Sequence, residues 1–287
     1  MNNRRDLLAI TTMILLVITS IAGIVSLNFN YAYDFINQYG HSVKLYGYGI
    51  YAYDSYFQAP ISIGTDMCIL IVFVPLFLTT YINYIKRGNQ SSELKLISVY
   101  FVALYYAVSI SFGLTYNRFF LVYVALLSCS LFGMFRHIKN IEFHDSITIS
   151  KGIKIFLILS GAALIIAWLP DVVPTIMEGT TLSLIGVYTT NITYILDMGI
   201  ISVLCFVSLF LLKKKEPLGT LILVCILKLC MVVGIMMVPQ TVCQLISGVE
   251  VPLAALITKS LSFVLLGGFA FYYNRKIGKE LELIAVN

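Results

Sequence analysis

Apolar runs of bilayer length recur along this chain, and they limit its possible folds more than any motif does. A helix needs about 20 mainly apolar residues to span a hydrocarbon core roughly 30 Å thick. Eight stretches reach that length: 7–27, 62–85, 96–115, 119–135, 153–170, 190–212, 217–239 and 253–273. Hydrophobic residues make up 59% of the chain and charged residues 11%, against about 25% charged in an average soluble domain. Nothing between the runs could form a sizeable soluble core. The expectation is an all-α integral membrane protein, a single bundle of eight transmembrane helices over residues 1–287. The first run, Leu7 to Leu27, follows Arg4 and Arg5. It is longer than a signal-peptide core of roughly 7–15 residues and lacks a small-x-small cleavage site, so it reads as a retained helix.

Eight crossings put both termini on one side, and the cations indicate which side. With the N-terminus cytoplasmic, Arg4, Arg5, Lys86, Arg87, Lys95, Arg136, Lys139, Lys151, Lys154, Lys213 to Lys215, Arg275, Lys276 and Lys279 all fall inside. Of the 19 Lys and Arg, only Lys44, Arg118, Lys228 and Lys259 lie elsewhere. That bias is the positive-inside pattern, and an odd number of helices would break it. The net charge of +5 is thus a topology signal. Nucleic-acid binding would need basic residues clustered on a folded surface, which this pattern does not offer.

The longest outer segment, 28–61, holds eight tyrosines, among them Tyr46, Tyr51 and Tyr53. An aromatic belt at headgroup level accounts for them, while Tyr46-Gly-Tyr48-Gly-Ile50 suggests a short extended piece lying over the helices. A second outer loop covers 171–189. The turn Tyr116-Asn117-Arg118 is so short that the third and fourth helices must be antiparallel neighbours. The halves 1–150 and 151–287 are alike in outline. Each places Asp-Met near the outer end of a helix (Asp66-Met67, Asp197-Met198) and an amide after its third helix (Asn117, Gln240). A duplication with four helices per half would be a parallel repeat.

Ionisable groups within hydrocarbon cost several kcal/mol and persist with a partner or a purpose. Counting at 1.5 Å per residue from the basic flanks, Asp197 and Lys259 lie at roughly equal depth, about 24 Å out, and Asp66 about 30 Å out. Asp197 and Lys259 are therefore candidates for a buried ion pair. In the alternative, Lys259 snorkels outward and Asp197 stays protonated. Lys228 sits near the midplane. Asp66, Asn117, Arg118, Tyr188, Asp197, Lys228, Gln240 and Lys259 together outline a polar site opening outward, floored by Asp197 and Lys259 and roofed by the tyrosine-rich segment. Gln244, Glu178 and Glu250 read as ordinary wet helix ends.

Six cysteines form no CxxC pair and three histidines fit no zinc spacing, so neither metal nor cofactor is expected. Cys68 and Cys243, both near outer helix ends, are the one candidate disulfide. No GxSxG, HExxH, P-loop or GxGxxG occurs, which argues against ATP hydrolysis within this chain.

Several short stretches carry a resemblance: Tyr51-Ala-Tyr-Asp54, Gly64-Thr-Asp66, Thr115-Tyr-Asn117 with Phe120-Leu-Val-Tyr123, Trp168-Leu-Pro170, and Tyr188-Thr-Thr190 followed by Asp197. Through them the chain resembles a group of bacterial polytopic membrane proteins to which no function is assigned. The resemblance implies a multi-helix bundle in a bacterial cytoplasmic membrane and no chemistry. Three function classes stay open. A small-solute transporter or permease would use the outer carboxylates to bind its solute or relay protons. A membrane enzyme acting on an outer-leaflet lipid would use Asp66 and Asp197 as acid and base, with Asn117 or Arg118 holding a phosphate or oxyanion. A sensor or accessory subunit would dock a protein partner on the tyrosine-rich loop.

Overall fold

The computed structural model describes residues 6–141, 149–182, 184–249 and 253–284, without the side chains of 253–256, 258, 259, 283 and 284. Helix α1 (Leu7–Val25) inverts the usual globular pattern. Ala9, Thr12, Leu16, Thr19, Ser20 and Gly23 face the bundle, whereas Ile10, Ile14, Ile18 and Ile21 are exposed. Lipid is as apolar as isoleucine, so close packing of small side chains, rather than burial of large ones, holds such a helix in place. Among the described residues, seven helices are long and apolar enough to cross a membrane.

After α1 come a short antiparallel hairpin (β1 Tyr33–Ile36, β2 Ser42–Leu45) and a continuous helix made of α2 (Gln58–Cys68), a π-helical turn Ile69–Phe73 and α3 (Val74–Arg87). Then follow α4 (Gln90–Gly113), α5 (Phe120–Ile138), α6 (Lys151–Ile166) and the short α7 (Leu169–Glu178). A second broken helix joins α8 (Ile192–Tyr194), a π-helical turn Ile195–Ile201 and α9 (Ser202–Lys213). The chain closes with α10 (Pro217–Ser247) and α11 (Leu253–Ile284), the latter in the place of the eighth expected span. Helix starts carry side-chain caps: Asp6 accepts from Leu8 N at 3.0 Å, Asn89 from Ser92 N at 3.0 Å and Asn191 from Thr193 N at 3.1 Å. Each satisfies an otherwise orphaned first-turn N–H.

Helix α4 lies along α5, as the short 116–118 turn predicts, and α10 lies along α11, while α4 and α10 contact each other at the centre. Gly64 of α2 fits against the α10 backbone: a Cβ there would sit 2.5 Å from Gln240 Cα. Lys95 donates to Glu282 at 2.7 Å and Arg87 to the same oxygen at 3.0 Å, tying the end of α11 to the α3–α4 turn. Asp6 meets Arg136 at 3.1 Å, placing the start of α1 beside the end of α5. These contacts define a basic end, opposite the tyrosine-rich one.

Four expectations change. The extended piece is the hairpin at 33–45, so the protein is not wholly α; in Tyr46-Gly-Tyr48-Gly-Ile50, Gly47 and Gly49 take left-handed φ of +79° and +64° and make a turn. Residues 171–178, expected within a loop, are helical as part of α7, and Ile176 and Met177 lie exposed on it. Helix α10 continues through Gln240 to Ser247, so Gln240 is mid-helix and does not correspond to Asn117. Cys68 and Cys243 are free thiols; Cys68 lies 4.0 Å from the Val232 carbonyl and Cys243 4.0 Å from the Met67 sulfur.

Candidate functional site

Tyr105 and Tyr106 are neighbours on α4 and so point to different sides of it. Tyr105 donates to Asp197 Oδ1 at 3.0 Å, and Tyr106 donates to Asp66 Oδ1 at 2.6 Å. The second oxygen of each acid is also engaged. Trp168 Nε1 donates to Asp197 Oδ2 at 3.1 Å, and Tyr51 donates to Asp66 Oδ2 at 2.5 Å. An indole N–H can only donate, so Asp197 Oδ2 is an acceptor whatever its neighbour does. Both acids sit at π-helical turns: Asp197 lies within Ile195–Ile201, and Asp66 lies one turn before Ile69–Phe73. Such turns cluster at functional sites because they re-aim side chains that a regular helix would hold elsewhere.

The tyrosine-rich segment reaches into the bundle. Tyr51 is fully buried at the Asp66 carboxylate, and Gly23 of α1 makes room for the pair, since a Cβ there would meet Asp66 Oδ2 at 1.6 Å. Tyr46 is also buried, donating to the Ser26 carbonyl at 2.7 Å, while Tyr31, Tyr33 and Tyr53 stay exposed as a belt would. The tyrosine-rich segment and the segment before α8 bind each other: Asn37 Nδ2 donates to the Gly186 carbonyl at 2.7 Å, and the Tyr188 hydroxyl donates to Asp54 Oδ1 at 2.9 Å. Asp54 is fully buried; Thr115 N donates to the same Oδ1 at 2.9 Å, while Oδ2 has no hydrogen-bond partner among the described residues. Burial pushes the Asp54 carboxyl up to about 7, against hydrogen bonds from Thr115 and Tyr188.

Between these elements lies a cavity of about 520 Å³. Its wall includes Tyr51, Tyr105, Tyr106, Trp168, Tyr188 and Tyr194, with Asp197 and Asp171 among the polar groups. Tyr194 stacks on Trp168 with ring centroids 4.3 Å apart and donates to Asp171 Oδ2 at 2.7 Å. A smaller hollow of about 30 Å³ adjoins Asp197 beside Cys230 and Phe263.

Of the predicted residues, Asp197, Tyr188 and Gln240 line the large cavity, and Gln240 donates to Thr65 Oγ1 at 2.7 Å. Asp66 does not line it; it stands behind Tyr51 and Tyr106, which do. Asn117 turns to the backbone, accepting from Phe119 N at 2.9 Å, and Arg118 is exposed, so neither belongs to the site. Lys228 is buried on α10 but absent from the wall. The Lys259 side chain, and with it the expected pair with Asp197, falls outside the described residues. Gln244, expected to be a wet helix end, is buried and lines the cavity. Tyr105, Tyr106 and Trp168 were not expected to bind the acids. A Tyr-Tyr pair inside an apolar run was the available signal, because a buried phenol hydroxyl needs a partner.

A second cluster, at the basic end, was also not foreseen. Asp6, 1% exposed, accepts from Tyr100 at 2.7 Å and from Arg136 at 3.1 Å, and lies 2.8 Å from His137 Nε2. His137 Nδ1 faces Glu93 Oε1 at 2.9 Å. A ring with a carboxylate at each nitrogen serves both only with two N–H groups. Burial would raise the Asp6 carboxyl, but the hydrogen bonds from His137 and Tyr100 and the charges of His137 and Arg136 outweigh it and hold it below its ordinary value. No group of three His, Cys, Asp or Glu suited to a metal occurs among the described residues. No family model, curated protein or solved structure matches the chain, so function must be argued from this geometry.

Proposed function

We propose that the chain is a small-solute permease of a bacterial cytoplasmic membrane, with eight crossings, cytoplasmic termini and a solute site facing the outside. The observation that carries this reading is the cavity of about 520 Å³, a size typical of small-molecule sites, walled by residues from both halves of the chain and reaching Asp197 within a membrane-spanning helix. Two features fit a carrier. Each half contains a helix interrupted by a π-helical turn beside its acid, at cavity level, where a helix can bend. The neighbour pattern is also similar in the two halves, supporting a parallel repeat: α1 on α2 and α6 on α9, α4 on α5 and α10 on α11.

The lipid-enzyme reading has less support. Arg118 is exposed and Asn117 accepts from Phe119 N in the turn before α5, so a phosphate or oxyanion would meet no Lys, Arg or His among the described wall residues. Proteoliposomes holding an internal pH dye and offered pools of amines, amino acids or sugars test the permease. At least one pool should drive proton-coupled flux, and Asp197→Asn should abolish it. Folded protein that moves nothing from any pool would end this reading.

A further inference from the structure

The cavity wall also carries a row of uncharged hydrogen-bonding side chains on α2 and α10. Gln58, Ser62 and Thr65 share one face of α2, and Gln240 and Gln244 share one face of α10. All five line the void. Two contacts fix how these helices lie against each other. Tyr56, just before α2, donates to the Ser247 carbonyl at 2.8 Å, and Gln240 Nε2 donates to Thr65 Oγ1 at 2.7 Å. The helices are therefore antiparallel here. Ser62 stands one turn beyond Thr65 toward the tyrosine-rich end, and Gln244 one turn beyond Gln240, so the two share a level.

Part of this row is unused inside the protein. Thr65 Oγ1 gives its one proton to the Ile61 carbonyl at 2.9 Å, so it accepts from Gln240, whose Oε1 has no partner among the described residues. Gln244 is 5% exposed and Ser62 8% exposed, yet neither side chain has a hydrogen-bond partner among the described residues. Buried polar groups are paired in the great majority of cases, so an unpaired amide and hydroxyl opening on a cavity point to a ligand that supplies the partners. An amide offers two donors and an acceptor, and a hydroxyl both donates and accepts. A carboxylate only accepts and an ammonium only donates, so either would leave half of the set unserved. The seven residues from Gln58 to Thr65 span about 10 Å, which asks for donor–acceptor groups spaced along the ligand. Adjacent hydroxyls on a carbon chain supply them. The wall beyond the row includes Val102, Ile110 and Met236, an apolar surface for the C–H groups of such a chain. We infer that the cavity binds an uncharged polyol or monosaccharide, with Gln244, Ser62 and Gln240 taking its hydroxyls. This rests on the solute-site reading above and specifies its ligand class.

The test titrates full-length protein in phosphatidylcholine nanodiscs with glycerol, xylose, glucose, galactose and myo-inositol. Tetrahydropyran serves as the ring without hydroxyls, and gluconate and glucosamine as charged counterparts. Binding is read by calorimetry and, at the cavity itself, by the fluorescence of Trp168, the only tryptophan in the chain. At least one uncharged polyol should bind saturably, at least about tenfold tighter than tetrahydropyran and than either charged probe. No saturable polyol binding, or a control that binds as tightly as the best polyol, overturns the inference. Gln244→Leu should weaken polyol binding at least about tenfold while melting no lower than wild type, because its amide has no partner inside the protein to lose. A lowered melting temperature with affinity intact would make Gln244 structural and overturn its role. If Gln244→Leu fails to fold, Ser62→Ala, expected to weaken binding about threefold or more, and the wild-type probe comparison decide. Adding phosphatidylglycerol, whose headgroup is itself a polyol, separates the sources: competition assigns the site to a lipid headgroup, and undiminished binding to a free solute. Polyol binding without uptake into vesicles would sink the permease while leaving the ligand class intact. Uptake of an amine or amino acid without polyol binding would do the reverse.

Discussion

The two ends of the bundle satisfy buried acids in opposite ways. At the basic end Asp6 is served by Arg136 and His137 as well as by Tyr100, and His137 bridges on to Glu93. Charge is balanced locally, side chains fill the space, and the fully buried Tyr100, Phe77, Ile97 and Leu96 close the core beside the cluster. At the tyrosine-rich end the described partners of Asp54, Asp66, Asp171 and Asp197 are phenols, an indole and a backbone N–H. The rings that supply these donors surround a void instead of filling it. The first arrangement makes a joint; the second leaves room for a ligand. The contrast separates a structural cluster from a binding one, though both are built from Asp and Tyr.

The largest expected effect tests the joint. Asp6→Ala leaves the buried His137 without one of its two acids and the half-exposed Arg136 without its partner, and breaking a buried pair such as Asp6–His137 costs about 3–5 kcal/mol. Unfolding of lipid-embedded protein should show that loss, while solute binding by the folded fraction should stay unchanged. A loss of binding with no loss of stability would erase the contrast between the ends.

Next comes Gly23→Ala. Its Cβ would overlap Asp66 Oδ2, so α1 or the Tyr51–Asp66–Tyr106 group must shift, at about 1–3 kcal/mol for an overpacked site. If the two regions are as independent as they look, the His137–Glu93 contact survives this change. Thermal unfolding of Gly23→Ala and of Asp6→Ala, singly and combined, should then be additive to within about 0.5 kcal/mol.

Asp197→Asn should cost less stability, about 1 kcal/mol, because an amide oxygen still accepts from either Tyr105 or Trp168 but not from both. Its binding loss should be the larger effect, at least about tenfold by fluorescence titration. If the variant destabilises the protein as much as Asp6→Ala while binding persists, Asp197 belongs with the structural cluster.

Much of the frame was legible in the sequence because bilayer thickness fixes helix length and a lone acid in an apolar run is conspicuous. Asp197 and Tyr188 were found on those grounds. The partners were not, and the reason is geometric. Tyr105 and Tyr106 look like two more aromatic residues until α4 is placed between the two acids. Tyr51 looks like part of a belt until its segment folds inward over Gly23. The inner cluster escaped notice because Asp6, Glu93 and His137 each flank a helix, where charge is unremarkable, and only the packing of α1 beside α4 and α5 brings them together. Arg118 and Asn117 stand out by chemistry and position, yet a three-residue turn leaves one side chain in solvent and spends the other on the backbone of the turn.

The smallest effect, and the one that sharpens the contrast most, is in pH. Asp6 is held below the ordinary carboxylate value, so its contribution to stability is present above that value and is lost as pH falls through the folded one. Asp54 runs the other way. Burial raises it from 3.8 to about 7, so its contribution is fully present below pH 3.8 and is lost as pH rises through about 7. The bare Oδ2 fits this sign, since a protonated carboxyl leaves no unsolvated negative oxygen in a buried place. Unfolding followed from pH 4 to pH 8 should therefore show stability drifting down toward neutrality, and Asp54→Asn should make that limb shallower. Below pH 4 the Asp6 limb should appear and persist in Asp54→Asn.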